Sequence, residues 1–170
     1  MTDELPRYAP DRDLPPYAFL PGRDPHPNRD PEGHSYDSAP ESPVAYVAPA
    51  DWRENGEYLF GVDLYNHGFL WEAHEAWEGS WIATKADEVQ AEHLQGLIQC
   101  AAAALKVSME QPRGLAKLAL IGTARLEQVI TTAGALYMGL DLEEFVEDFR
   151  AFAASEPESA EDRPRIELQL

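Results

Sequence analysis

Eleven of the fourteen prolines fall in the first fifty residues, at positions 6, 10, 15, 16, 21, 25, 27, 31, 40, 43 and 49. Proline fixes φ and has no amide donor, so neither a helix nor a central strand persists through such spacing. Residues 1–50 are therefore expected to run as an extended arm, and regular structure is confined to the chain beyond residue 50. The arm is not uniformly polar. Leu14-Pro-Pro-Tyr-Ala-Phe-Leu-Pro21 is apolar and aromatic, and a fully solvated tail gains nothing from it. Tyr17, Phe19 and Leu20 are expected to lie against the body in a polyproline-like path. Pro25-His-Pro-Asn-Arg-Asp-Pro-Glu-Gly-His34 reads as turns ordered by contact, with His26 and His34 expected as turn residues bonded to nearby backbone, the alternative being that the arm brings them over the His/Glu cluster of the second helix.

From Asp51 the pattern becomes helical. A first helix runs to about Asn66 with Tyr58, Phe60 and Leu64 inward, and Asn66-His67-Gly68 stops it, because Asn and Gly tolerate the left-handed conformation. A second helix comes next, over about Phe69 to Ala83, and so short a turn makes an αα-hairpin. Asp87 is placed to cap a third helix to about Glu110, whose line is Leu94, Leu97, Ile98, Ala101 and Leu105. Gly96 with Ala101 to Ala104 forms a smooth strip suited to receiving Trp side chains. Pro112 opens a fourth helix, with Leu115, Leu118, Ala119, Leu126, Val129 and Ile130 inward, broken at Gly134 and Gly139. Asp141-Leu-Glu-Glu144 opens a last helix to about Ala154, burying Leu142, Phe145, Phe149 and Phe152. No segment alternates with period two. The fold class is all-α, a compact bundle of about five helices over 51–154, with the arm at 1–50 and an acidic, flexible tail at 155–170.

Acidic residues outnumber basic ones 31 to 13, for a net charge of −18. That balance argues against nucleic acid and anionic membranes, which need basic patches to neutralise phosphate. Cys100 stands alone, so no intrachain disulfide forms and a reducing compartment is the natural setting. The first residues lack the basic-then-apolar order of a secretory signal, and no apolar run reaches the ~20 residues that span a bilayer. The expected location is the cytoplasm. Pairing of helical surfaces into a homodimer is one partner reading, and a small-molecule ligand of unknown identity is another.

The rare residues concentrate between Asn66 and Trp81, which hold three of the four Trp, two of the five His and three Glu. On the second helix Leu70, Ala73, His74, Trp77 and Trp81 recur on one face, with Trp71, Glu75, Glu78 and Ile82 beside it. An imidazole is thus expected within the apolar face. His74 and Glu78, four residues apart, can meet one cation from a single turn. Glu75 beside them is a candidate general base or further oxygen ligand. Gln95 and Gln99 are expected to face the cluster from the third helix, and His67 and His93 could add nitrogen. Trp71, Trp77 and Trp81 supply the surrounding walls, with Trp77 and Trp81 in the core. Mixed nitrogen and oxygen ligands suit zinc, manganese or iron. This pattern is half of His-Glu-x-x-His with Glu78 in place of the second His, which weakens a zinc-peptidase reading. Two functions are compatible with it: a binding or structural module whose His/Glu cluster between helices two and three is a buried hydrogen-bond network, or a metal-dependent hydrolase with His74 and Glu78 as ligands and Glu75 as base. Cys100, among Ala residues with no basic neighbour in sequence, reads as an inert buried thiol.

Tyr65-Asn-His-Gly-Phe-Leu-Trp-Glu-Ala-His-Glu-Ala-Trp-Glu-Gly-Ser-Trp81, succeeded by Leu94-Gln-Gly-Leu-Ile-Gln-Cys-Ala-Ala-Ala-Ala104, resembles the domain of unknown function family 309. Phe69 and Leu70 replace what is often a Tyr-aromatic step there. The resemblance extends over about Leu14 to Val129 and implies a compact helical bundle. It implies no activity.

Overall fold

A computed structural model describes residues 5–39 and 42–170, so Pro40, one of the arm's prolines, lies outside the described residues. Five α-helices form the body: α1 (Gly56–Asn66), α2 (Leu70–Ile82), α3 (Glu88–Ser108), α4 (Pro112–Ala133) and α5 (Leu142–Ala154). A 3-10 turn over Pro49–Glu54 precedes α1, and a second covers Ala160–Asp162. Each helix packs chiefly on its neighbours in sequence, and the α3–α4 contact is the most extensive. No helix of the described chain is long and apolar enough to cross a membrane.

The helix ends obey local chemistry. Asn55, Asp87 and Asp141 each accept the backbone N–H three residues on, capping α1, α3 and α5, and Pro112 opens α4 without wasting an amide. Gly68, at φ 86°, makes the left-handed step between α1 and α2, and the Phe69 N–H returns to the Leu64 carbonyl at 2.8 Å. Between α4 and α5 the chain forms a minimal antiparallel hairpin, β1 (Leu136–Tyr137) with β2 (Leu140–Asp141). Both of its turn residues, Met138 and Gly139, have positive φ, the signature of a tight primed turn. Strands of two residues leave no alternation to read, so sequence periodicity misses them.

Two close approaches set the helix spacing. A Cβ at Gly61 on α1 would collide with the Trp77 indole, whose Nε1 donates to the Tyr58 carbonyl at 3.2 Å. On α3, Gly96 meets α4 rather than Trp side chains: an added Cβ would lie 2.7 Å from Leu126 and 3.1 Å from the Gly122 carbonyl. The smooth strip therefore serves a helix–helix crossing, backbone against backbone.

The C-terminal segment departs from the expected flexible tail. Ala160, Arg163, Ile166 and Leu168 are buried. Asn66 at the end of α1 accepts the Ile166 N–H and donates to its carbonyl, both at 2.8 Å. The Tyr65 hydroxyl donates to the Pro164 carbonyl at 2.9 Å, and Arg163 donates to the Tyr65 and Asn66 carbonyls. The segment is thus pinned to the open end of α1, whose last carbonyls lack helical partners. At the other end of the chain Asp63, fully buried on α1, accepts Arg7 Nε at 2.9 Å and the N–H groups of Tyr8 and Ala9. The Leu168 N–H donates to the Tyr8 hydroxyl at 3.0 Å, joining the two termini over α1.

Candidate functional site

The rotation of α2 decides what its rare residues can do. Trp77 against Gly61 turns Leu70, Ala73, Trp77 and Ser80 inward. His74 then lies at the edge of the buried face, with 30% of its side chain exposed, instead of within it. Glu75 and Glu78 fall on the outer shoulder beside it.

His74, Glu75 and Glu78 each bring one ligand atom within 4.8 Å of the other two. His74 Nδ1 is 3.3 Å from Glu75 Oε1, but the approach is too poorly aligned for a hydrogen bond, and Nδ1 is buried with no partner. The Glu75 carboxylate, with Glu78 adding to it, raises the imidazole pKa above its ordinary value against the opposing effect of burial.

The third helix does not close this cluster. Gln99 is turned to α4, where its carbonyl accepts Arg125 Nε at 3.1 Å while Arg125 Nη1 pairs with Glu92 at 2.7 Å. Gln95 is half-buried and makes no hydrogen bond to His74, Glu75 or Glu78. The three ligand residues all come from α2, and Gln99, expected to face them from α3, is bonded to Arg125 instead. The reason is local: Gln99 sits one turn beyond Gly96, where α4 crosses closely enough to claim its amide.

His67 and His93 also lie apart from the cluster. His67 occupies the α1–α2 turn, and burial, together with the nearby Arg7, lowers its pKa. His93 is fully buried between the rings of Tyr58 and Tyr137, its Nε2 3.4 Å from the Tyr58 hydroxyl. Burial pushes its pKa down to about 3, so it stays neutral. Trp77 is core, and Trp81 is partly buried against it. Cys100 is buried, and burial pushes its thiol pKa up.

The opposite shoulder of α2 carries a group that sequence reasoning passes over. Glu72 is 95% buried at its side chain, under the N-terminal arm. Its Oε1 accepts the Phe19 N–H at 2.7 Å and faces His34 Nε2 at 3.2 Å. His34 Nδ1 is in turn 2.7 Å from the Ser35 hydroxyl. Burial raises the Glu72 pKa, partly offset by the Phe19 N–H and His34. Phe19 and His26 pack on Trp71, with ring centroids 5.2 and 5.5 Å from it. Tyr17 holds the turn together by donating to the Pro25 carbonyl at 2.7 Å and accepting the His34 N–H at 3.1 Å. The apolar run in the arm is the available signal, while the pairing of His34 with Glu72, 38 residues apart, has none.

Between arm and helix lies a cavity of about 200 Å³, lined among others by Arg12, His34, Glu57, Trp71, Glu72 and Glu75. Glu75 thus faces both the His74 cluster and the cavity.

A family model described as Domain of unknown function (DUF309) matches residues 58–118. The DUF309 segment runs from Tyr58 on α1 to Leu118 on α4, and includes His74, Glu75 and Glu78. His34 and the C-terminal segment pinned by Asn66 lie outside it. No curated protein and no solved structure matches the chain.

Proposed function

We propose that this chain is a helical binding module that holds a divalent cation at His74, Glu75 and Glu78 of α2. One arrangement supports the reading: His74, Glu75 and Glu78 bring three ligand atoms within 4.8 Å of one another, and His74 Nδ1, 3.3 Å from Glu75, has no aligned hydrogen-bond partner. A cation would give Nδ1 the partner it lacks. One imidazole and two carboxylates form a borderline-hard set that suits zinc, manganese or iron. A purely structural network is less well supported, because Gln99, one of the partners open to it, is engaged by Arg125. A metal-dependent hydrolase draws support from the double exposure of Glu75, which would be the base facing the cavity with His74 and Glu78 as ligands. The single buried Cys100 is compatible with a cytoplasmic setting.

The test is calorimetric titration of the chelator-stripped chain with Zn²⁺, Mn²⁺ and Fe²⁺. Saturable binding near one ion per chain is expected with at least one of them. It should weaken in His74→Ala and Glu78→Gln by more than the about tenfold that even outer-shell changes cost, with the circular dichroism unchanged. Absence of saturable binding, or affinities indifferent to both substitutions, would refute the cation site.

A further inference from the structure

We infer that the cleft between the arm and α2 binds a small organic cation, a primary ammonium on a short apolar body, seated on Glu72. The site shares Glu75 with the His74 cluster but is centred on Glu72 and does not depend on a metal at His74.

Glu72 has one satisfied oxygen and one orphan. Oε1 accepts the Phe19 N–H and faces His34, whereas Oε2 is buried with no hydrogen-bond partner. A buried carboxylate oxygen without a donor is costly, and natural structures rarely leave one unpaired. Glu72 also lines an open cavity, so a donor entering there has only to displace the cover over Oε2 to reach it.

The charge around the cleft selects the sign of that donor. Glu57, Glu72 and Glu75 all line it. Its one guanidinium, Arg12, is already committed: Nη1 pairs with Glu57 at 2.6 Å, and the planar group lies 3.8 Å over the Phe60 ring. Among the described residues lining the cleft, Glu72 and Glu75 thus have no fixed cation, with only the titratable His34 beside Glu72 and His74 beside Glu75. An anionic ligand would meet two carboxylates. A cation would be drawn in, the more so by a chain of net charge −18.

Shape and lining narrow the class. Trp71 gives an aromatic wall, which favours the flank of an ammonium compound, while Phe60 lies under Arg12. The volume, about 200 Å³, falls below the roughly 300–1,000 Å³ of sites for drug-sized ligands, so a short-chain amine fits and a nucleotide does not. A metal ion fits less well. Among the described residues the tight three-ligand group is His74, Glu75 and Glu78, and the cleft carboxylates are too dispersed to converge on one ion. An ammonium needs only one of them for its charge and can present further N–H bonds to the others.

The test uses the full chain in excess chelator and three probes of similar shape: n-butylammonium, n-butanol and butyrate. Calorimetry and Trp fluorescence should give saturable one-to-one binding of n-butylammonium. The alcohol and the acid should bind more weakly by about tenfold or more, as expected when a charge-assisted hydrogen bond is absent. Glu72→Gln should lose the amine by a similar factor while the arm stays in place by limited proteolysis, since the Gln carbonyl can still accept the Phe19 N–H. His74→Ala should keep amine binding, separating this site from the cation site. Should Glu72→Gln release the arm, Glu75→Gln decides: a reduced preference for amine over alcohol supports the site, and an unchanged preference overturns it. Equal binding of amine and alcohol, no saturable amine binding, or full amine affinity in a Glu72→Gln chain with its arm in place would also overturn it.

Discussion

Asn66 sits in the motif that looks most functional, yet its side chain is committed to structure, and Asn66→Ala measures how firmly. Asn66 is 6% exposed, and its amide makes two 2.8 Å bonds to the backbone of Ile166, itself fully buried. Truncation to Ala leaves that N–H and that carbonyl in place with no partner and little access to water. Each such group costs about 1–3 kcal/mol, so the two together would reach about 2–6 kcal/mol if the segment stayed put. It need not stay put. Release of residues 165–170 would rehydrate both groups and forfeit the burial of Ile166 and Leu168, a loss of roughly 3–6 kcal/mol before the chain entropy regained is subtracted. That is a large part of the stability of an ordinary domain. Urea unfolding should show a lower midpoint in Asn66→Ala. In a chain shortened after Pro164 the same substitution should cost less than about 1 kcal/mol, because its partner is gone. A loss below about 0.5 kcal/mol in the full chain, or equal losses in the two chains, would show that the pairing with Ile166 does not hold the segment.

His93 should make stability fall on acidification. Its folded pKa, about 3, lies below the unfolded value of 6.5, so its contribution is complete above pH 6.5 and is lost as pH falls toward 3. Between pH 7 and pH 5 the loss is about 2 kcal/mol by linkage. His93→Leu should flatten that part of the urea-midpoint profile relative to the parent, and parallel profiles would refute the assignment. Subtracting the two curves removes the contribution of Glu72, whose raised pKa acts in the opposite sense. Gly61→Ala should drive a methyl into the Trp77 indole, costing about 1–3 kcal/mol as overpacking. A lower Tm with an altered near-ultraviolet dichroism is expected, and an unchanged melt would mean that α1 and α2 can separate at little cost.

The sequence announces those features that depend on near neighbours in the chain. Asn66-His67-Gly68, Asp87, Pro112 and Asp141 mark helix ends because capping acts over three or four residues, and α1 to α5 begin and end close to them. The arm's apolar run is legible for a similar reason, since Phe19 has no solvated role. The hidden features depend on distant partners. The terminal segment looks like a solvated acidic tail because Ile166 and Leu168 are isolated among charges, and their shelter is built by Tyr8, Tyr65 and Asn66 about a hundred or more residues earlier in the chain. Gln99 looks free to serve His74 until α4, approaching across Gly96 and Gly122, brings Arg125 to it. Glu72 carries no mark in the sequence because helical periodicity places it outside the apolar stripe, and the arm, not the bundle, is what buries it.

The burial of Glu72 changes how the α2 motif is read. Three glutamates at positions 72, 75 and 78 recur every three residues, and a 100° turn per residue walks them around the helix instead of stacking them in one line. Glu72 is thereby carried under the arm, Glu78 toward His74, and Glu75 between them, facing both. Two environments on one short helix result from that spacing: a covered one that holds the unpartnered Oε2 of Glu72, and a half-exposed one that holds the unpartnered Nδ1 of His74. If both sites bind, Glu75 couples them, because the charge it gives to an ion at His74 is charge withdrawn from an ammonium at Glu72. Filling the cation site should then weaken amine binding, and by reciprocity the amine should weaken the ion by the same factor.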